Sequence, residues 1–458
     1  MLFSSSIFIL VFLPVTLGLY YAVARRRALR IGLLIAASLV YYGYWDVRFV
    51  PLLVGLALAN WLLARLFAAG HGRFWLDLGI VLNLGALGFF KYANFFLANL
   101  FALTGRVPPS LDIILPLGIS FFVFQKISYL VDLRRGDRHI YPLADYCLFV
   151  FFFPQLIAGP IVRHNEIIPQ FDAPPRRPET WENLGRGAML FILGLMKKVA
   201  LADTLAPNVN LLFAKAAAGT ALNFAEGWAA AVGFALQIYF DFSGYSDMAI
   251  GLALMFGFRL PFNFDAPYRA ASIREFWRGW HITLSRILRD YLYIPLGGNR
   301  RGGLRQAVNV ILTMLLGGLW HGASWTFVAW GGLHGVALAV NGAWTRRRLH
   351  LPWLAGWTLT MLFVLMGWVL FRAADFATAG HILQAMAGSN GFGKVRFDNR
   401  AVLFVGLAVS LLGPTSQQAM LARLRPNGWA AGAAAVALVW ALLAIGGRLQ
   451  HEFIYFQF

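Results

Sequence analysis

The sequence has 458 residues, of which 59% are hydrophobic and only 13% charged, and its mean hydropathy is +0.64. Soluble domains are about 45–50% apolar and about 25% charged, so this composition excludes an ordinary soluble protein and indicates a multi-pass membrane protein. The net charge of +19, from 39 Lys and Arg against 20 Asp and Glu, fits basic cytoplasmic loops on an anionic lipid bilayer, with no nucleic-acid partner. The single cysteine, Cys147, excludes an internal disulfide and any multi-cysteine metal site.

A membrane-crossing helix needs about 20 mostly apolar residues, because lipid offers the backbone no hydrogen-bond partners. The first candidate runs from Leu2 to Ala24. It is too long for a cleaved signal and has Arg25, Arg26 and Arg27 behind it, so it reads as a span with its N-terminus outside. Further spans are expected near Ile31–Trp45, Phe49–Ala69, Phe74–Thr104 and Leu111–Leu133. Basic loops at Arg25–Arg30, Arg65–Arg73 and Arg134–Arg138 alternate with nearly uncharged ones, as the positive-inside rule requires.

Tyr141–Ile161 breaks this alternation, since basic loops flank it on both sides. With Phe153-Pro154-Gln155 and Gly159-Pro160 at its centre, it is expected to be re-entrant, entering and leaving on the cytoplasmic face. After a proline-rich linker at Asp172–Glu182, apolar segments cover Gly185–Leu201, Phe224–Leu260, Ala307–Val340, Trp353–Phe371, Ala401–Leu412 and Trp429–Ile445. The expected fold is an all-α integral membrane protein, a single multi-pass bundle of about 11–13 membrane helices including re-entrant segments.

The one extended polar region is Asp265–Arg305, expected on the cytoplasmic side. Ser272 and Glu275 make a capping-box pattern, and apolar residues from Ile273 to Tyr291 follow at three- and four-residue spacing. The opposite stripe carries Arg274, Arg278, His281, Ser285 and Arg289, which predicts one amphipathic helix of about five turns. Such a helix can simply lie on anionic headgroups. Alternatively, Arg274, Arg278 and Arg289 can grip phosphates of a cytoplasmic donor, for which guanidinium is suited.

His321 stands in Leu316-Gly317-Gly318-Leu319-Trp320-His321-Gly322. An ionisable side chain in so apolar a run is costly and therefore a candidate for function, here as general base for a hydroxyl. A buried histidine hydrogen-bonded between helices is the structural alternative. His334 is a weaker candidate: thirteen residues on along an unbroken helix, it need not share a face with His321. The stretch Tyr239–Asp247, with Asp241, Ser243, Tyr245, Ser246 and Asp247, reads mainly as a buried polar network holding helices together.

Around these residues the sequence resembles the membrane-bound O-acyltransferase family, and its alginate O-acetylation branch most. The matching stretches are Phe152–Arg163, Asp241–Gly251, Glu275–Ser285, Arg289–Arg300 and Gly317–Trp325, with Met1–Ser5 and Phe453–Phe458 at the ends. The resemblance implies a bowl of helices around a central tunnel, with donor entering from the cytoplasm and acceptor from the far side. It makes His321 the intramembrane catalytic histidine and His281 the second signature residue, orienting substrate or polarising the thioester.

The activity implied is O-acetyl transfer from acetyl-coenzyme A, a substrate and not a resident cofactor, to a hydroxyl of an exported polysaccharide at the outer face of a bacterial inner membrane. A periplasmic acetyl-accepting partner protein is implied as well, and no metal. Branches acting on alginate, cellulose, peptidoglycan and teichoic acid share these motifs. The reading from another class is a transporter or flippase, though the inverted repeats frequent in such folds are not found.

Overall fold

The computed structural model describes residues 1–419, 427–447 and 453–454. Regular structure among them is entirely helical. Among the described residues, five helical stretches are long and apolar enough to cross a membrane: Val47–His71, Phe74–Ala102, Gly302–His321, Trp353–Arg372 and Gly428–Gly447. The chain is therefore an all-α membrane protein.

The described residues group into two compact units. The first is built mainly from Met1–Ile192 and Tyr245–Pro261. It holds α1 (Leu13–Ala22), α2 (Arg27–Gly43), α3 (Val50–Leu66), α4 (Phe74–Leu87), α5 (Ala93–Ala102) and α6 (Ile119–Arg134). The short helices α7 (Leu143–Phe151), α8 (Phe153–Leu156) and α9 (His164–Ile167) follow, and α10 (Thr180–Met196) leads out. Its core is aromatic: Phe3 stacks on Tyr245 with centroids 4.8 Å apart, and Phe153 packs on Phe12 at 5.4 Å.

Two expectations meet the structure here. The span predicted at Leu111–Leu133 starts too early, because α6 begins only at Ile119. Pro116 lacks an amide donor, and Gly118 is left-handed at φ 71, where a β-carbon would fall 3.0 Å from the Leu156 carbonyl oxygen, so helix does not extend through them. Tyr141–Ile161 is indeed broken. Helix α7 has nine residues, a rise of about 13 Å against about 30 Å of hydrocarbon, and ends where Phe152 turns to ψ 107. Its backbone is satisfied by protein: Phe153 N–H donates to Ser38 Oγ at 3.0 Å, and Gln155 Nε2 donates to the Phe149 carbonyl at 2.6 Å.

The second unit is built mainly from Leu193–Gly244 and Phe262–Arg423. It contains α11 (Asp203–Ala217), most of α12 (Phe224–Met255), α13 (Ile273–Gly279), α14 (Ile282–Leu288), α15 (Gly302–His321), α16 (Trp325–Arg346), α17 (Trp353–Arg372), α18 (Phe376–Met386) and α19 (Arg400–Leu412). The apolar run Ala307–Val340 is a helical hairpin of α15 and α16. Small residues let its backbones touch: a β-carbon on Gly318 would fall 2.2 Å from the Phe327 carbonyl oxygen, and one on Gly331 2.2 Å from that of Met314.

The single five-turn helix expected over Ile273–Tyr291 does not form. Helix α13 stops at Gly279, His281 adopts a left-handed backbone at φ 43, and α14 starts anew at Ile282. Tertiary bonds impose the kink. The Ile282 amide donates to the Asn263 carbonyl at 3.0 Å, and the Asp265 amide donates to that of Gly279 at 2.9 Å.

Candidate functional site

His321 is the last residue of α15, and the chain leaves the helix at Gly322, which is extended at φ −162, ψ 152. Ser324 then caps α16, its hydroxyl accepting from the Thr326 amide at 3.3 Å. The helix end thus presents the imidazole inside the unit, where it is 4% exposed. Three rings enclose it: Trp320 at 4.9 Å between centroids, Trp330 of α16 at 5.2 Å, and Phe371 of α17 at 5.1 Å. A ring nitrogen in such surroundings can take a proton from a hydroxyl that water cannot reach.

His281 is fully buried, and its ring meets Phe242 edge-on at 4.6 Å. Its Nδ1 lies 3.1 Å from Asn263 Oδ1, which also accepts from the Thr283 amide and the Thr283 hydroxyl. A backbone amide can only donate, so that amide atom is the oxygen and His281 Nδ1 carries the proton. Burial lowers the pKa of His281 well below the ordinary histidine value, which keeps the ring neutral and makes Nε2 its acceptor nitrogen. An acceptor nitrogen can orient a hydroxyl. It cannot polarise a thioester carbonyl, which needs a donor.

The two histidines meet through Trp320, whose ring is 4.9 Å from His321 and 6.2 Å from His281. His334 joins them, contrary to the argument from an unbroken helix. The break at Gly322 puts His321 and His334 on different helices, and Trp330 touches both, with His334 at 4.7 Å.

The basic stripe is a correction. Once α13 and α14 separate, His281 is buried while Arg274, Arg278 and Arg289 remain exposed, so His281 no longer ties that face to the chemistry. Arg289 is also engaged, its Nε at 2.6 Å and Nη2 at 3.1 Å from the two carboxylate oxygens of Asp290. It does line a cavity of about 190 Å³ with Trp277, Ser285, Tyr293 and Thr313.

Of the Tyr239–Asp247 stretch, Asp241 joins a buried polar network. Asp241 is 2.7 Å from Lys198 Nζ and accepts from the Ile454 amide at 2.7 Å, while Lys198 also reaches Asp203 at 2.8 Å. Asn263, Trp277, Trp320, Trp330 and Phe371 were missed as site residues. The crowding of Trp320, Trp325 and Trp330 about His321 was a usable signal; nothing in the local sequence marks Asn263 as a partner of His281.

Comparison with known proteins shows the family. The sequence model of the membrane-bound O-acyltransferase family matches residues 75–378, which include both histidines. A protein named "Probable alginate O-acetylase AlgI" from Azotobacter vinelandii is 46% identical, over 84% of this chain and 78% of its own length. The "Peptidoglycan O-acetyltransferase" of Helicobacter pylori is 41% identical over 88% of this chain and 83% of its own. A "Teichoic acid D-alanyltransferase" of Streptococcus thermophilus is 30% identical over 56% and 65%. With the family model spanning more than half of the sequence and such relatives covered over most of their length, the chain belongs to the membrane-bound O-acyltransferase family and is a membrane acyltransferase.

Proposed function

We propose that this acyltransferase moves an acetyl group from cytoplasmic acetyl-coenzyme A to a hydroxyl at the outer face of a bacterial inner membrane, O-acetylating an exported polysaccharide of the alginate kind. The observation that carries the reading is His321, held at a helix break inside an aromatic cage in a chain of this family. Relatives bearing alginate O-acetylase names, at 43–46% identity over most of the chain, favour alginate as acceptor class.

In this reading His321 removes the proton of the acceptor hydroxyl, either the sugar's own or that of a carrier serine. His281 orients that hydroxyl through Nε2. Arg274 and Arg278 meet donor phosphates, and Arg289 contributes from the 190 Å³ cavity. A periplasmic partner protein receives the acetyl group and passes it to the polymer.

The test is acetyl transfer by the purified full chain in nanodiscs, with acetyl-coenzyme A and either mannuronate oligomers or peptidoglycan fragments as acceptor. Release of coenzyme A with O-acetylation of mannuronate supports the whole reading. Acetylation of the peptidoglycan fragments alone would replace the acceptor, a result for which the 41% identical relative is the precedent. No thiol release under any condition would remove acetyl-coenzyme A as donor.

A further inference from the structure

The aromatic cage beside His321 carries more hydrogen-bond donors than it uses. Trp330 and Trp368 are each 1% exposed, and the indole N–H of neither finds an acceptor among the described residues. Buried donors are normally satisfied, and lipid supplies no acceptor in their place. The two indoles stack on each other, with centroids 6.0 Å apart and planes inclined by 21°.

His334 adds a donor of fixed identity. Trp277 Nε1–H donates to His334 Nδ1 at 3.1 Å, so Nδ1 is the acceptor nitrogen and the ring proton sits on Nε2. That Nε2 and the Trp330 Nε1 border the same surface of Gly367. A β-carbon built on Gly367 would lie 3.1 Å from His334 Nε2 and 3.6 Å from Trp330 Nε1. Glycine at this point lets the α17 backbone come close to both nitrogens. Two N–H groups therefore gather on one side of a cluster whose central ring, Trp330, also packs on His321.

Such an arrangement wants an oxygen that accepts twice and is absent from the protein itself. We propose that the Trp330 indole N–H and the His334 Nε2–H bind the carbonyl oxygen of the acyl donor and hold it as negative charge develops there. The inference rests on the acyl-transfer reading above and assigns the part of the site that His321 and His281 leave open. His321 takes the proton of the attacking hydroxyl, and the oxygen of that hydroxyl bonds to the thioester carbon. The carbonyl π electrons move onto the oxygen between Trp330 and His334. When they return, the carbon–sulfur bond breaks, and the departing thiolate receives the proton from His321. Preorganised donors of this kind act without reorganisation at the moment of reaction.

The decisive probe is acetyl-coenzyme A labelled with ¹³C at the thioester carbonyl, bound to His321→Ala protein, which holds the donor without turning it over. The carbonyl stretch is expected to fall relative to free donor, and to return toward the free value when Trp330→Phe is added. Trp330→Phe keeps the ring packing while removing the N–H. In the otherwise unaltered chain it is expected to lower kcat by about 10²–10³-fold with donor KM unchanged. His334→Phe should act likewise, and unchanged thermal unfolding of the Trp330→Phe protein excludes misfolding as the cause. A bound donor with an unshifted carbonyl band overturns the carbonyl site alone, as does an unchanged kcat in Trp330→Phe; an ordered water then occupies the donors. If His321→Ala protein binds no acetyl-coenzyme A, the donor assignment of the preceding section falls and this site falls with it.

Discussion

Two regions of the molecule bury a histidine, and they do it in opposite ways. In the first unit His164 is wholly buried, with Nε2 3.2 Å from Asp132 and 3.7 Å from Asp137, and Nδ1 3.0 Å from the Tyr141 hydroxyl. Both ring nitrogens are spent on protein groups, and Asp137 also holds His139 at 2.7 Å. In the second unit His321 is surrounded by rings, with Trp320, Trp330 and Phe371 within 5.2 Å. A histidine between carboxylates and a hydroxyl ties segments together; one packed among rings at a helix end sits where the proposed chemistry needs it. Burial alone distinguishes neither, and the partners decide.

The comparison can be broken or sharpened by substitution. His281→Ala should lower kcat by about 10²-fold while the protein stays folded, since it removes the group that aligns the hydroxyl. Full activity in that variant would place His281 with His164 as a structural residue. Arg274→Ala and Arg278→Ala should each raise the KM for acetyl-coenzyme A about ten- to a hundred-fold, the loss of a charge-assisted hydrogen bond of about 1.5–3 kcal/mol. Arg289→Ala should raise it less, because Asp290 already engages that guanidinium. Measured in detergent, three unchanged KM values would return the segment to lipid anchoring.

His164→Gln should act on stability and leave turnover alone. Losing its bonds to Asp132 and Tyr141 should cost about 1–3 kcal/mol, read as a lower unfolding temperature, with kcat of the folded fraction near that of the parent. A selective loss of kcat would contradict the contrast drawn above. The mildest perturbation is labelling. Single cysteines near Arg138 and Arg176 should both react only from the cytoplasmic side and without functional effect, if the broken α7–α8 segment enters and leaves on one face. Labelling of either from outside would make it a crossing.

The sequence carried the helical membrane class and the place of the five stretches long and apolar enough to cross, because apolar runs are local signals. It also carried the burial of His321, whose cost in an apolar run is visible without a fold, and the break near Pro154. It could not carry the kink at His281. The apolar spacing from Ile273 to Tyr291 is satisfied equally by one helix or by two, and the choice is made by Asn263, 18 residues upstream. The same holds for His334, whose place beside Trp330 depends on where Gly322 ends α15, and for Lys198, which finds Asp241 only in three dimensions. Residues whose role comes from a distant partner leave no periodic trace.

The account stands most directly on His321. Purified parent and His321→Ala proteins, matched for folded concentration by unfolding temperature and gel filtration, should be compared for acetyl-coenzyme A-dependent transfer. The expected result is a loss of at least about 10²–10⁴-fold in kcat with an unfolding temperature like that of the parent, as removal of a general base requires. A folded His321→Ala protein that retains most of its transfer activity would contradict the assignment of the ring-caged histidine to catalysis.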